Sequence, residues 1–163
     1  MRTLRTMPAV ALIAALLGGC GYTAEGLHPA GVRTVAVPTF QSREFRRGLE
    51  TEMTRELVNM IELRTPYKVT AQERADTVLT GTILDLVETV LAEDDDDRVT
   101  ESQVTLTVEY QWKDLRTGKV LREGTPHYAW HFAAAEDQTL RSAQTAAIRK
   151  LAEQIVEEME RDW

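Results

Sequence analysis

Residues 103–112, QVTLTVEYQW, alternate between apolar and polar side chains without a break. Successive side chains of a strand point to opposite faces of a sheet, so this period of two predicts a strand with one buried face. The buried face comprises Val104, Leu106, Val108, Tyr110 and Trp112. The other face comprises Thr105, Thr107, Glu109 and Gln111. The stretch therefore predicts a sheet that is apolar on one side only.

The residues after this strand predict an antiparallel neighbour. DLRTGK (114–119) is typical of a hairpin turn in which Gly118 supplies a positive φ. VLREGTPHYAWHF (120–132) then forms the next strand, with an interruption near Pro126. Three aromatic residues resume its apolar face, and core packing explains them better than a ligand platform does: Tyr128, Trp130 and Phe132.

The residues before it predict further strands. TVLTGTILDLVETVL (77–91) indicates a long strand in which Gly81 marks a bulge or a close approach, and EDDDD (93–97) ends it. Val35–Val37 form a short strand that Pro38 stops, and YKVT (67–70) is compatible with another.

Two segments have the period of an amphipathic helix. In residues 43–64 the apolar side chains recur every three or four positions, at Phe45, Leu49, Met53, Leu57, Met60 and Ile61. Ser42 is the expected N-cap of this first helix. The second runs over Thr139–Glu160, with Asp137 or Thr139 as its cap. Its apolar stripe contains Leu140, Ala143, Ala147, Leu151, Ile155 and Met159.

The element order β-α-β-β-β-α predicts an α+β two-layer sandwich, with two helices packed on one face of a mixed four-stranded sheet. The first helix connects its flanking strands as a parallel, right-handed crossover. This topology places Arg43, Arg46, Arg47 and Arg98 at the end far from the amino terminus. Four carboxylates share that end: Asp94, Asp95, Asp96 and Asp97.

The amino-terminal residues resemble a bacterial lipoprotein signal. Two arginines, Arg2 and Arg5, precede the apolar run 9–17, which is too short to cross a bilayer. Leu17-Gly18-Gly19-Cys20 is similar to a lipobox, which predicts cleavage between Gly19 and Cys20 and acylation of the Cys20 thiol. The alternative is an ordinary signal peptide followed by a free buried cysteine. We expect a signal peptide at 1–19, a lipidated tether at 20–32 and one domain at 33–163.

Charge and cysteine content exclude several classes of function. The chain carries a formal net charge of −7, and removing residues 1–19 with their two arginines gives (19 − 2) − 26 = −9. A domain this acidic is not built for nonspecific binding to nucleic acid or to anionic membranes. The single cysteine rules out an intrachain disulfide. No nucleophile-and-base motif or phosphate-cradling loop indicates an enzyme or a cofactor site.

Several motifs resemble LptE, a family of lipopolysaccharide-assembly lipoproteins. They are Cys20-Gly21-Tyr22 with Gly26, VAVPTF (35–40) with Leu49-Glu50, ADTVLTGTI (75–83) and DLRTGKVL (114–121). The resemblance implies a lipid-anchored protein on the periplasmic face of the outer membrane. It implies that the protein plugs the outer-membrane barrel LptD and contacts lipopolysaccharide, without catalysis and without a cofactor. In enterobacterial lipoproteins, an aspartate directly after the lipidated cysteine retains the protein in the inner membrane. Gly21 stands at this position here, which by resemblance to that rule favours delivery to the outer membrane.

Each candidate site has an alternative interpretation. Arg43, Arg46, Arg47 and Arg98 are candidate lipopolysaccharide contacts, or else an exposed helix face paired with the aspartates. Asp94–Asp97 could bind a divalent cation, or form a solvated hairpin tip that repels phosphate. His127 and His131 share a strand face and could together bind zinc, but without a cysteine or third histidine nearby in the sequence, ordinary strand residues are the simpler interpretation. For function, the alternatives are a lipid-anchored periplasmic binding or scaffold domain without a barrel partner, and a metal-dependent enzyme.

Overall fold

The computed structural model describes residues 31–133 and 139–160. The elements in this part of the chain are β1 (Thr34–Ala36), β2 (Gln41–Ser42), α1 (Leu49–Arg64), β3 (Lys68–Val69), a 3₁₀ turn (Gln72–Arg74), β4 (Thr77–Glu93), β5 (Val99–Asp114), β6 (Val120–Gly124), β7 (His127–Ala133) and α2 (Leu140–Glu160). Both helices pack on the apolar face of one mixed sheet, which confirms the two-layer α+β prediction. None of the described helices is long and apolar enough to span a membrane.

The sheet has seven strands in the described residues, rather than the four expected. Its order is β3-β1-β4-β5-β6, with β2 also paired to β4 and β7 also paired to β5. Pro126 divides the last expected strand into β6 and β7, and β2 and β3 are two-residue additions. The predicted parallel pairing of β1 with β4 across α1 is confirmed. β4 and β5 form the long antiparallel centre of the sheet, from Thr77 opposite Asp114 to Glu93 opposite Val99.

The alternation that predicts β5 is confirmed by burial. All five of its predicted inward side chains, from Val104 to Trp112, are at most 3 % exposed. They pack in one core with the buried stripes of α1 and α2. The Trp112 ring lies 5.6 Å from the Tyr67 ring, centroid to centroid. Burial, and secondarily the charge of Glu160, raise the pKa of the Tyr67 phenol well above its usual value.

Gly81 is a site of close packing, as one of its two sequence interpretations predicts. A Cβ on this residue would overlap the ring of Phe40 and lie 2.7 Å from the Glu109 carbonyl oxygen. The register shifts of the β4–β5 pair lie elsewhere, between Ile83 and Asp85 and around Ala92. Glycine at position 81 therefore lets Phe40 close the core over β4.

The prediction for the start of the first helix is wrong by six residues. Gly48 is the N-cap with a φ of 94°, and this left-handed conformation separates residues 43–47 from the helix. Ser42 does not cap the helix, because its backbone is extended and pairs with β4. Its Oγ accepts a hydrogen bond from the Glu44 amide (3.1 Å), and Phe45 is 99 % exposed instead of buried.

The second helix begins at Leu140, one residue after the predicted start, and Thr139 lies directly before it, at one of the two predicted cap positions. The Ser142 amide donates to Thr139 Oγ1 at 3.2 Å, and the Thr139 amide donates to Ser142 Oγ at 3.0 Å. This reciprocal pair satisfies two backbone donors at the helix start. Asp137, the other candidate cap, lies outside the described residues.

Asp76 attaches β1 to the start of β4. Its Oδ2 accepts hydrogen bonds from the Arg33 amide (2.9 Å), the Thr34 amide (3.0 Å) and Thr34 Oγ1 (2.9 Å). The Asp76 amide in turn donates to Thr34 Oγ1 at 2.9 Å. These bonds, led by the one from the Arg33 amide, lower the pKa of the Asp76 carboxyl.

We expect Asp76→Asn to lower the free energy of unfolding at neutral pH by about 1–3 kcal/mol, because charged hydrogen bonds become neutral ones. The native pKa of Asp76 lies below its unfolded value of about 3.9, so its stabilisation is present above that pH and is lost as the pH falls through the native pKa. Denaturant unfolding of the wild-type and Asp76→Asn chains at several pH values measures the loss of unfolding free energy at neutral pH and its dependence on pH. The difference between the two chains should shrink under acid conditions, and a constant difference would contradict this account.

Candidate functional site

The two helices run side by side in the same direction. Near their starts Thr145 Oγ1 donates to Glu52 Oε1 at 2.7 Å, and near their ends Arg64 contacts Glu153 at 2.7 Å and Glu157 at 3.4 Å. The end of α1 leads into β3, which pairs with β1, and near the end of α2 the Glu158 carbonyl accepts a hydrogen bond from Arg122 of β6, so both helix ends lie in the half of the molecule where residue 31 enters the fold. Both helix starts therefore face the opposite half of the molecule, which we call the distal half.

Arginine side chains gather around the two helix starts. One concavity of about 390 Å³ is lined by Arg46, Arg47 and Arg141, together with Leu49 and Leu140. Arg141 also lines a neighbouring concavity of about 410 Å³, which contains Arg149. We call Arg46, Arg47, Arg141 and Arg149 the distal arginine cluster. All four side chains are exposed.

The surroundings of this cluster favour anions. Glu52 is the acidic residue that lines the first concavity, and its carboxylate already accepts the bond from Thr145. The unpaired amides of a helix start carry a partial positive charge, and two such starts lie side by side here. Arginine forms paired hydrogen bonds to phosphate or carboxylate oxygens. The cluster is thus a basic area on a protein with a formal net charge of −7.

An exposed aromatic side chain lies in the same loop as Arg46 and Arg47. The Phe45 side chain is 99 % exposed, and Glu44 Oε1, which accepts from the Leu86 amide at 3.1 Å, attaches the loop to β4. Further apolar side chains, each 42–47 % exposed, lie on the distal part of the β4–β5 hairpin: Val87, Val90, Leu91 and Val99. The distal half therefore presents apolar and cationic groups, as a site for an anionic amphiphile requires.

The structure does not bring together the four arginines that the sequence predicts. Arg46 lies 3.8 Å from Glu88, whereas Arg98 contacts Asp94 at 3.9 Å and Asp96 at 3.4 Å at the hairpin tip. Asp94 is six residues beyond Glu88, which is about 20 Å along a strand. The Arg43 amide donates to the Ile83 carbonyl, so Arg43 lies below Arg46 beside β4. Arg46 and Arg47 lie instead near Arg141 and Arg149. The sequence analysis did not identify these last two arginines as candidates.

Asp94 organises the hairpin tip. Its Oδ1 accepts hydrogen bonds from the Asp96 amide (3.0 Å) and the Arg98 amide (2.9 Å), and Asp97 adopts a φ of 58°. Within residues 31–133 and 139–160, no three Asp, Glu, His or Cys side chains are grouped to hold a metal ion. The four aspartates are exposed, as a solvated turn predicts. His127 and His131 are also exposed, on the face of β7 away from the core.

Solved structures share this fold at low sequence identity. The hypothetical protein CT253 from Chlamydia trachomatis matches with a TM-score of 0.58 and 14 % identity over 79 % of this chain and 96 % of that one. The rare lipoprotein B from Shewanella oneidensis matches with a TM-score of 0.52 and 15 % identity, over 78 % and 93 %. PelC from Paraburkholderia phytofirmans, solved as a dodecamer, matches with a TM-score of 0.54 and 16 % identity, over 78 % and 92 %. Among curated proteins, no sequence matches this chain.

The fold defines the class: a two-layer α+β domain with two parallel helices on a mixed sheet, shared with a bacterial lipoprotein. The family model for LptE, lipopolysaccharide assembly, matches residues 32–163. The chain belongs to the LptE family, as its sequence motifs predict. Its role accordingly lies in lipopolysaccharide assembly.

Proposed function

We propose that the protein is acylated at Cys20 after cleavage at Gly19, that it is held on the periplasmic face of the outer membrane, and that it assembles with and plugs a β-barrel of the LptD type. Two or more acyl chains make such an anchor stable, since each buried methylene contributes about 0.8 kcal/mol. The domain follows the anchor after a short tether. The role is structural, and the barrel is the principal partner.

We further propose that lipopolysaccharide phosphates contact the distal arginine cluster rather than the hairpin tip. The observation that carries this proposal is the exposed cluster beside Phe45, on an otherwise acidic chain. At the tip, Arg98 is surrounded by carboxylates that repel phosphate. Within the set Arg43, Arg46, Arg47 and Arg98, the contact therefore belongs to Arg46 and Arg47, and Arg141 completes it.

Purification of the tagged full-length chain from detergent-solubilised outer membranes tests the barrel partnership. We expect a stable complex with one large β-barrel, identified by mass spectrometry of the purified complex. The Cys20→Ser chain is the comparison variant, since it keeps the domain at 33–163 and cannot be acylated at residue 20. The Cys20→Ser chain should be depleted from the outer-membrane fraction, and less barrel should copurify with it. If the native chain reaches the outer membrane but copurifies with no barrel, the scaffold alternative takes the place of this proposal.

A further inference from the structure

In the part of the chain that the structure describes, β7 is an open edge of the sheet. It pairs with β5 from His127 to Ala133 without a register shift and, among the described residues, with no other strand. The Val108 amide donates to the Pro126 carbonyl at 3.0 Å, which identifies that pair as hydrogen-bonded. Pairs alternate along an antiparallel ladder, so every second residue of β7 turns its backbone groups away from β5. These residues are His127, Ala129, His131 and Ala133.

This edge lacks the features that usually protect an edge strand. Natural edges carry charged side chains, prolines, bulges or very short strands, which prevent pairing with another chain. The distal part of β4 has register shifts and the Arg46–Glu88 pair, and β3 has two residues. β7, with the sequence HYAWHFA, contains no Lys, Arg, Asp, Glu or Pro over its seven residues. It is therefore the edge best suited to strand addition.

The sequence of β7 is complementary to itself around Trp130. In an antiparallel two-fold pair centred there, His127 lies opposite Ala133, and Ala129 lies opposite His131, so a large side chain meets a small one. On the other face Tyr128 lies opposite Phe132, and Trp130 lies opposite its own copy, which are aromatic cross-strand pairs. All four residues with outward backbone groups fall at hydrogen-bonded positions. We propose that a second copy of this chain binds the β7 edge and continues the sheet through a two-fold axis.

The two-fold axis determines how this dimer relates to a membrane. It reverses one copy, so the two chain entries at Gly31 lie at opposite ends of the pair. Two copies standing upright on one bilayer cannot form it, so the dimer is a state separate from a barrel complex. The inference goes beyond the proposed function and does not rest on it. A single strand pair is smaller than a standard interface of about 1,600 Å², so the dimer is weak and needs covalent capture.

Two cysteine variants of the full-length chain test the register. Ala129→Cys and His131→Cys are made in separately tagged chains, purified in detergent, mixed and oxidised. Opposite residues of a hydrogen-bonded pair have Cα atoms about 5.5 Å apart, within disulfide reach. We expect a mixed disulfide between the two tags, and less product from either variant alone. The wild-type chain, which has only Cys20, measures the background.

Thr105→Cys is the matched control. Thr105 lies directly beside Ala129, one strand in from the edge, and faces the same side of the sheet. Mixed with His131→Cys, it should give no mixed disulfide between the two tags, and thermal melting confirms that every variant is folded. No mixed disulfide from the Ala129 and His131 pair, or equal product with Thr105→Cys, would overturn the proposal.

Discussion

Trp112→Ala is expected to lower the free energy of unfolding by about 3–5 kcal/mol, the range for deleting a large aromatic side chain from a core. Trp112 is fully buried, packs against Tyr67, and lies at the end of the apolar face of β5. The surrounding strands and helices cannot collapse fully into the space left behind. Typical domains are stable by only about 5–15 kcal/mol, so this one change removes much of the total. Denaturant unfolding followed by far-ultraviolet circular dichroism measures it.

Phe45→Ala is the control for Trp112→Ala, since it also deletes an aromatic ring. Because Phe45 is 99 % exposed, its loss should change the free energy of unfolding by less than about 0.5 kcal/mol. A large loss on Phe45→Ala would mean that residues 43–47 continue α1, as the helical period of the sequence predicts. Two similarly small losses would contradict the burial of Trp112, and two similarly large losses would contradict the exposure of Phe45.

Strands with one buried face could be predicted from sequence because their signal is local. The alternation in β5, the hairpin at Gly118 and the interruption at Pro126 all depend on residues close together in the chain. The start of α1 could not be predicted this way. Phe45 fits the 3.6-residue period by spacing alone, but Ser42 and Gly48 determine the outcome through contacts with β4 and a left-handed backbone. Gly48 was the local sign of this break, and its effect is larger than its helix propensity suggests.

Two of the four arginines in the distal arginine cluster could be predicted from sequence, and the other two could not, for a similar reason. Topology placed the loop before α1 in the distal half, so Arg46 and Arg47 could be assigned to it. Arg141 and Arg149 belong to α2, about 95 residues later in the chain. Only the parallel packing of the helices, seen in the Glu52–Thr145 contact, brings them beside that loop. Had the directions of both helices been carried through the topology, the first turns of α2 would have been a candidate.

Reversing the charge of three of the four arginines in the distal arginine cluster is expected to weaken binding to lipopolysaccharide by about a hundredfold. The variant is Arg46→Glu/Arg47→Glu/Arg141→Glu, and each lost cation near an anionic surface is worth about 1 kcal/mol. Binding is measured by flotation of the full-length chain with phosphatidylcholine vesicles, with and without lipopolysaccharide. The Arg46–Glu88 contact is long and exposed, so its loss should cost little stability. The binding of the wild-type chain should also fall as salt rises, because salt screens exposed charges.

A second triple variant carries the same change in net charge at a different place. Arg55→Glu/Lys68→Glu/Lys119→Glu reverses three exposed cations outside the distal arginine cluster. If total charge governs binding, the two triple variants lose equally, and the cluster is not a site. If the cluster is the site, the first variant loses the lipopolysaccharide-dependent part of the signal, and the second keeps most of it. The vesicle background without lipopolysaccharide, which includes the contribution of the acyl chains, should then be the same for both.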